Sequence, residues 1–312
     1  MSYPRIIHTV LHTPWAIERA WLGSIFSVLH ARLFAEQVEL DMPLERLSRA
    51  PVSSARYLAG ENITLAIADE LTAAGVDGPE RDARAAQLVS DAGPGQIAYI
   101  WGSGIMGKHL SAIEEACAGG LSVDRLAAEI RAARDDDNVS AVLLHLDTPG
   151  GTATGIPELS ELVRSTAERK TVAAFCDSTT ASAGYYAICQ SDCLYATRSA
   201  DVGSIGVYSA VVDYTEWCAK QGIKVELIKD GAHKAAGIMG TSLTEEQRAL
   251  ITARVMEISR EFKATVQAAR PGVTAETMQG QCFSGSAAQS AGLVDTLVTD
   301  LDEVLTDLAA IL

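Results

Sequence analysis

Ser140-Ala-Val-Leu-Leu-His-Leu-Asp-Thr-Pro-Gly-Gly-Thr152 is the stretch on which the fold turns. From Ala141 to Leu146 only His145 interrupts the apolar run. Such a run reads as a strand covered on both faces, as parallel strands of α/β proteins are. Thr148-Pro149-Gly150-Gly151 ends it. Two glycines there leave bare backbone, so an N–H can face a ligand with no Cβ in the way. A helix follows, with Ile156, Leu159, Val163 and Ala167 on one side, and then a strand at Thr171–Phe175.

The pattern repeats outward from this unit. Upstream lie a strand at Gln96–Trp101, a turn at Gly102-Ser103-Gly104 and a helix over Leu121–Arg134. Downstream lie strands at Cys193–Thr197 and Val225–Lys229. The clearest helix opens with Thr244-Glu-Glu-Gln247, a capping box, and carries Ile251, Val255, Ile258, Phe262 and Val266 along one face until Pro271. Strands alternating with helices predict an α/β fold with a mainly parallel sheet flanked by helices. Asp135-Asp-Asp-Asn138 reads as a solvated turn rather than a metal site.

Residues 1–92 differ from residues 93–312. Thr13-Pro14 is a helix start, proline being suited to the first helical position. Ile17, Trp21, Phe26, Leu29 and Leu33 then recur at helical spacing. A second helix is expected over Ile63–Ala74, with a loop at Pro43–Gly60 between. Breaker clusters at Ala74–Pro79 and Ala92–Gly95 bracket the boundary. The expectation is an N-terminal helical extension or arm joined to a larger α/β domain.

At 312 residues the chain is long enough for a large core, and 48% hydrophobic with 21% charged residues is an ordinary globular balance. A formal charge of −15 leaves no Lys/Arg surplus for nucleic acid or anionic lipid. The six cysteines form no Cys-x-x-Cys pair and read as free, mainly buried thiols of a reducing cytoplasm. The opening residues do not read as a signal peptide, and Trp21–Leu29 is too short to span a bilayer. A soluble, cytoplasmic protein without a membrane anchor is expected.

The chemistry centres on Thr179-Thr-Ala-Ser-Ala-Gly-Tyr-Tyr186. A strand that ends among small residues and opens a helix at Ser182 lifts a hydroxyl into a tight turn. Gly150 and Gly151 are candidate oxyanion donors. Between Leu146 and Ala232 there is no histidine, so a histidine base would have to be His145 or His233. Lys234 follows His233 in a segment of small residues. A lysine serves as a base when its pKa falls from about 10.4 to near 7, which takes roughly 4–5 kcal/mol of differential solvation.

Together, Asp147-Thr-Pro-Gly-Gly151, Thr180-Ala-Ser-Ala-Gly-Tyr-Tyr186, Gly203-Ser-Ile-Gly-Val207, Asp230-Gly-Ala-His-Lys234 and Phe283-Ser-Gly through Gly292-Leu-Val-Asp295 resemble the signal peptide peptidase A family. The resemblance covers about residues 95–310. It implies a Clp protease/crotonase-like fold and a serine–lysine dyad. By it, Ser182 is the nucleophile, Lys234 the general base and Ser204 the hydroxyl that orients the lysine. A Gly150 or Gly151 N–H and the Ala183 N–H form the oxyanion hole. Ala183 stands where the bacterial members usually carry glycine. Neither the transmembrane anchor nor the tandem repeat of some members is expected here. The Thr13-Pro-Trp-Ala-Ile17 opening resembles the tailed-phage branch, the minor capsid protein C type of procapsid protease.

What the resemblance implies is a head-maturation endopeptidase acting on capsid, portal or scaffolding proteins, in the host cytoplasm or inside the procapsid. It further implies a ring-shaped homo-oligomer, with Leu243–Ala269 or the N-terminal arm at the interface, and no metal or organic cofactor. The alternatives are a cytoplasmic peptidase of signal-peptide remnants, a crotonase-like acyl-CoA enzyme with a carboxylate base, and a non-catalytic capsid protein.

Overall fold

A computed structural model of the chain describes residues 15–17, 56–58, 96–110, 115, 119–137 and 139–311. The helices expected over Ile17–Leu33 (beyond Ile17 itself) and Ile63–Ala74, most of the Pro43–Gly60 loop, the boundary near residues 75–95, and Cys117 lie outside the described residues.

In chain order the elements are β1 (Trp15–Ile17), β2 (Arg56–Leu58), β3 (Gln96–Ser103), β4 (Ile105–Gly107), β5 (Gly120–Ser122), α1 (Val123–Asp135), β6 (Val139–Asp147) and β7 (Gly150–Thr152). There follow α2 (Ile156–Ala167), β8 (Thr171–Cys176), β9 (Thr179–Ala181), α3 (Ala183–Ile188), β10 (Cys193–Ala196) and β11 (Asp201–Gly203). The last are α4 (Thr215–Lys220), α5 (Glu245–Ala269), β12 (Cys282–Ser284), α6 (Gly285–Ser290), β13 (Thr296–Leu297) and α7 (Leu301–Ile311).

The main sheet runs β13-β10-β8-β6-β3-β2, parallel throughout except where β2 adds antiparallel to β3. The apolar run that opened the analysis is β6, near its middle. Alternation sorts its side chains. Val142 and Leu144 join Ala98, Ile100, Val172 and Ala174 in the larger core, against α1, α2 and α3. Leu143 joins Ile97, Tyr99, Ala173 and Phe175 in a second core under α7. Both faces are therefore covered, and each fully buried leucine contributes about 1.5–3 kcal/mol. Two smaller sheets, β1-β7-β4-β5 and β12-β11-β9, gather at the C-terminal end of β6.

Three expectations need correction. Gly102 and Ser103 continue β3, and the turn falls at Gly104, whose φ is +117°. Val225–Lys229 is not a strand: it pairs with no neighbour among the described residues, and Ile228 within it is 97% exposed. Trp15–Ile17 is strand rather than the first turn of a helix, because pairing with β7 outweighs the local signal of Pro14. The α5 capping box is present with both bonds, yet only Gln247, Phe262 and Val266 of that helix are buried. No helix among the described residues is long and apolar enough to cross a membrane.

Candidate active site

The Ser182 turn is clamped to the end of β6. Thr148 N–H donates to Thr179 O (2.6 Å), Ala181 N–H donates to Thr148 O (3.0 Å), and Thr180 Oγ1 donates to Leu146 O (2.5 Å). Ser182 then breaks direction with φ 56° and ψ −115°, and α3 begins at the next residue. Its N–H donates to Gly203 O (2.7 Å) and its carbonyl accepts from Tyr186 N–H (2.9 Å). A non-glycine residue in that region costs about 1–3 kcal/mol and persists only where its surroundings enforce it. Ser182 is 1% exposed, and its Oγ has no hydrogen-bond partner among the described residues. A buried, unpaired hydroxyl costs a further ~1–3 kcal/mol. Held on a strained turn, it is placed as a nucleophile would be.

The short helix behind it is anchored by both tyrosines. Tyr185 OH donates to Leu293 O (3.0 Å), and Tyr186 stacks on Phe262 with ring centroids 4.3 Å apart at 5°. Gly184 lets the helix abut Thr148, since a Cβ there would stand 2.4 Å from Thr148 Cγ2. Gly151 is required still more strictly: its Cβ would fall 1.9 Å from the Met106 carbonyl oxygen.

Gly150 has φ +102°, and its N–H donates to Thr148 Oγ1 (3.1 Å), which itself donates to Gly104 O (2.6 Å). Thr148 thus ties together the end of β6, the glycine turn and the serine turn. The sequence reading missed its role. Its signal is a threonine two residues before a glycine N–H, the spacing of a side-chain-to-backbone turn. Ala183, the first residue of α3, has an N–H without an intrahelical acceptor. Ala183 adjoins Ser182 in the chain, and the Thr148–Thr180 bridge sets the glycine turn alongside the serine turn.

Ser204 is brought there too. β11 runs parallel to β9 with Gly203 opposite Ala181, so Ser204 and Ser182 follow paired residues on neighbouring strands. Ser204 shares the positive φ (52°), is 6% exposed, and donates its N–H to Gln281 O (2.8 Å).

Lys234 is not brought to them. It lies exposed on the loop after residue 229, where its N–H donates to Gly231 O (3.2 Å), and no hydrogen bond joins its amine to Ser182 or Ser204. The physical reason is that residues 208–243 fold back little onto the sheet and contain one short helix, α4.

Other candidate groups are occupied elsewhere. His145 is buried with Nδ1 on Tyr99 OH (2.8 Å) and Nε2 on Asp177 Oδ1 (2.9 Å), so neither nitrogen faces the serine. Burial raises the Asp177 carboxyl pKa, but the bond to His145 and its charge outweigh this and hold it below the ordinary value. His233 is exposed beside Lys234. Burial pushes the Cys176 and Cys189 thiols up to about 12, which removes them as nucleophiles. Among the described cysteines Cys176, Cys189 and Cys218 are buried, Cys193 is half-buried and Cys282 is exposed.

Residues 164–311 match the family model described as Peptidase family S49, a span holding Ser182, Ala183, Ser204 and Lys234 but not Gly150 or Gly151. Over 306 residues the chain is 27% identical to "Capsid assembly protease C" of Escherichia phage lambda, covering 97% of this chain and 65% of that one. Over 190 residues it is 30% identical to "Head-tail preconnector protein GP5" of Enterobacteria phage P21, covering 60% and 38%. The chain thus spans less than two thirds of the length of these relatives. Among solved structures, a putative enoyl-CoA hydratase/isomerase (crotonase) from Legionella pneumophila is similar at a TM-score of 0.38 with 14% identity, covering 61% of this chain and 65% of that one. The α/β assignment accordingly rests on the strand order itself.

Proposed function

We propose that the chain is a serine endopeptidase acting through Ser182 and Lys234, a reading supported by the match of residues 164–311 to the model described as Peptidase family S49. The observation that carries this reading is Ser182 itself, buried, strained and with an unpaired hydroxyl beside the glycine turn. Ser182 Oγ attacks a peptide carbonyl carbon while Lys234 Nζ takes the serine proton. The oxyanion that forms is met by Ala183 N–H and by Gly150 or Gly151 N–H. For Gly150, that N–H has to leave Thr148 Oγ1. Collapse expels the amine, which receives the proton from Lys234. Water, deprotonated by Lys234, then hydrolyses the Ser182 ester, and Ser204 positions the lysine amine.

A lysine serves as a base only where burial supplies roughly 4–5 kcal/mol of differential solvation, and Lys234 is exposed in the single chain. We assign that burial to packing of residues 208–243 in a homo-oligomer. The names of the phage relatives support proteins of head assembly as substrates.

The test is mass spectrometry of cleavage products, including the protein's own termini. Ser182→Ala and Lys234→Ala should each abolish cleavage, and His233→Ala should keep most of it. Full activity in Lys234→Ala would sink the dyad.

A further inference from the structure

Strand β1 is outermost in its sheet, and the strand it covers is β7. The pairing is antiparallel, with Trp15 opposite Thr152, Ala16 opposite Gly151 and Ile17 opposite Gly150. The other side of β7 is taken by β4 through the Met106–Gly151 pair. The edge under β1 is therefore the one on which a further strand can add to β7. It is also the edge that leads to the nucleophile: Thr148 and Thr180 form a parallel bridge, and two residues further along each chain stand Gly150 and Ser182.

An extended peptide gains affinity from such an edge through main-chain hydrogen bonds, which any sequence can make. Only one strand fits there at a time. β1 is tethered to the site by its own chain, so it competes at an effective concentration of up to about 1 mM with any peptide arriving from solution.

Resting on the proposed Ser182 peptidase, we infer that Trp15–Ile17 is the resident occupant of the peptide-docking edge of β7. Peptide substrates bind there as extended strands once it withdraws. Trp15–Ile17 thus holds the site closed by occupying its backbone, with no contact to the catalytic side chains required.

The probe is a fluorescein-labelled synthetic peptide of residues 10–22, bound to the full chain carrying Ser182→Ala so that it is not cut. Successive residues of a strand direct their N–H groups to opposite sides, so of Ala16→Pro and Ile17→Pro one removes a donor aimed at β7. That variant should bind the probe at least about tenfold more tightly than the parent, because the tethered competitor is gone. Trp15→Cys with Thr152→Cys, directly opposite across the ladder, should form a disulfide on mild oxidation. The oxidised form should bind the probe at least about tenfold more weakly than the reduced form.

Equal probe binding by the parent and both proline variants overturns the inference, as does a cross-linked chain that binds as well as the reduced one. With Ser182 restored, the tighter-binding variant should also show a higher peptidase rate. Probe binding that rises while no variant cleaves any peptide leaves the strand inference standing and rejects the peptidase.

Discussion

Ser182 concentrates strain and desolvation in one residue, and the two are separable by substitution. Alanine removes the hydroxyl but keeps a Cβ at φ 56°, whereas glycine removes both. Relief of a strain of about 1–3 kcal/mol exceeds the roughly 0.4–1 kcal/mol by which glycine loosens the unfolded chain. Ser182→Gly should therefore be more stable than Ser182→Ala by about 1 kcal/mol in urea unfolding. A glycine variant no more stable than the alanine one would remove the argument for strain. Behind the turn, Asp177 is held below its ordinary pKa of 3.8 by the His145 bond and charge. A carboxyl depressed in the folded state stabilises above its unfolded pKa and loses that contribution as pH falls through the folded one. The stability advantage of the wild type over Asp177→Asn should thus be full above 3.8 and shrink below it. Thermal unfolding across that range checks this, and a gap that widens on acidification contradicts it.

Elements were legible in the sequence where a local rule and the tertiary environment agree. The run in β6 has both faces covered, and Thr244 with Gln247 makes both capping bonds (3.2 and 3.0 Å). Val225–Lys229 has strand composition, but a strand exists only with a partner, and none among the described residues pairs with it. Pro14 signals a helix start, but Trp15–Ile17 obeys the edge of β7. The Ser182 turn and the glycine turn were readable as turns because small residues cluster there at strand ends. Thr148 was not, since its work depends on Gly104, 44 residues earlier in the chain. Asp295, noted only as the end of a motif, proves to be a brace between elements. Its Oδ2 accepts from Arg270 Nη1 (2.6 Å) and from Leu194 N–H (2.8 Å), while Arg270 also donates to Cys189 O and Ser191 O behind α3. Asp295→Ala leaves a nearly buried guanidinium short of its counter-charge. Since the carboxylate is 40% exposed, the cost should sit below the fully buried range, at about 2 kcal/mol. Denaturant unfolding measures it, and a change under about 0.5 kcal/mol, typical of an exposed pair, would demote the brace to a surface contact.

At the scale of the whole molecule, the exposed large apolar side chains among the described residues, other than Ile311, all fall between Val211 and Met256. That segment holds Lys234 and the half-covered stripe of α5. Apolar surface clustered in this way marks an association site, whereas the sheet and its two cores are already closed. Lys234 lies within the uncovered region and Ser182 within the covered one, and in the proposed homo-oligomer a second copy of the chain buries the first against the second. Two inactive variants distinguish this from a loop that closes onto its own serine. Ser182→Ala and Lys234→Ala subunits carrying different tags would be co-expressed and purified through both tags in succession, so that only mixed oligomers are assayed. If the lysine comes from a neighbour, a Lys234→Ala subunit supplies an intact serine, its Ser182→Ala neighbour supplies an intact lysine, and about one site in four regains activity under random pairing. If serine and lysine belong to one chain, every site in the mixture lacks one of them and activity stays at background. Background activity in doubly purified oligomers, or a failure to recover any species carrying both tags, rules out the shared site.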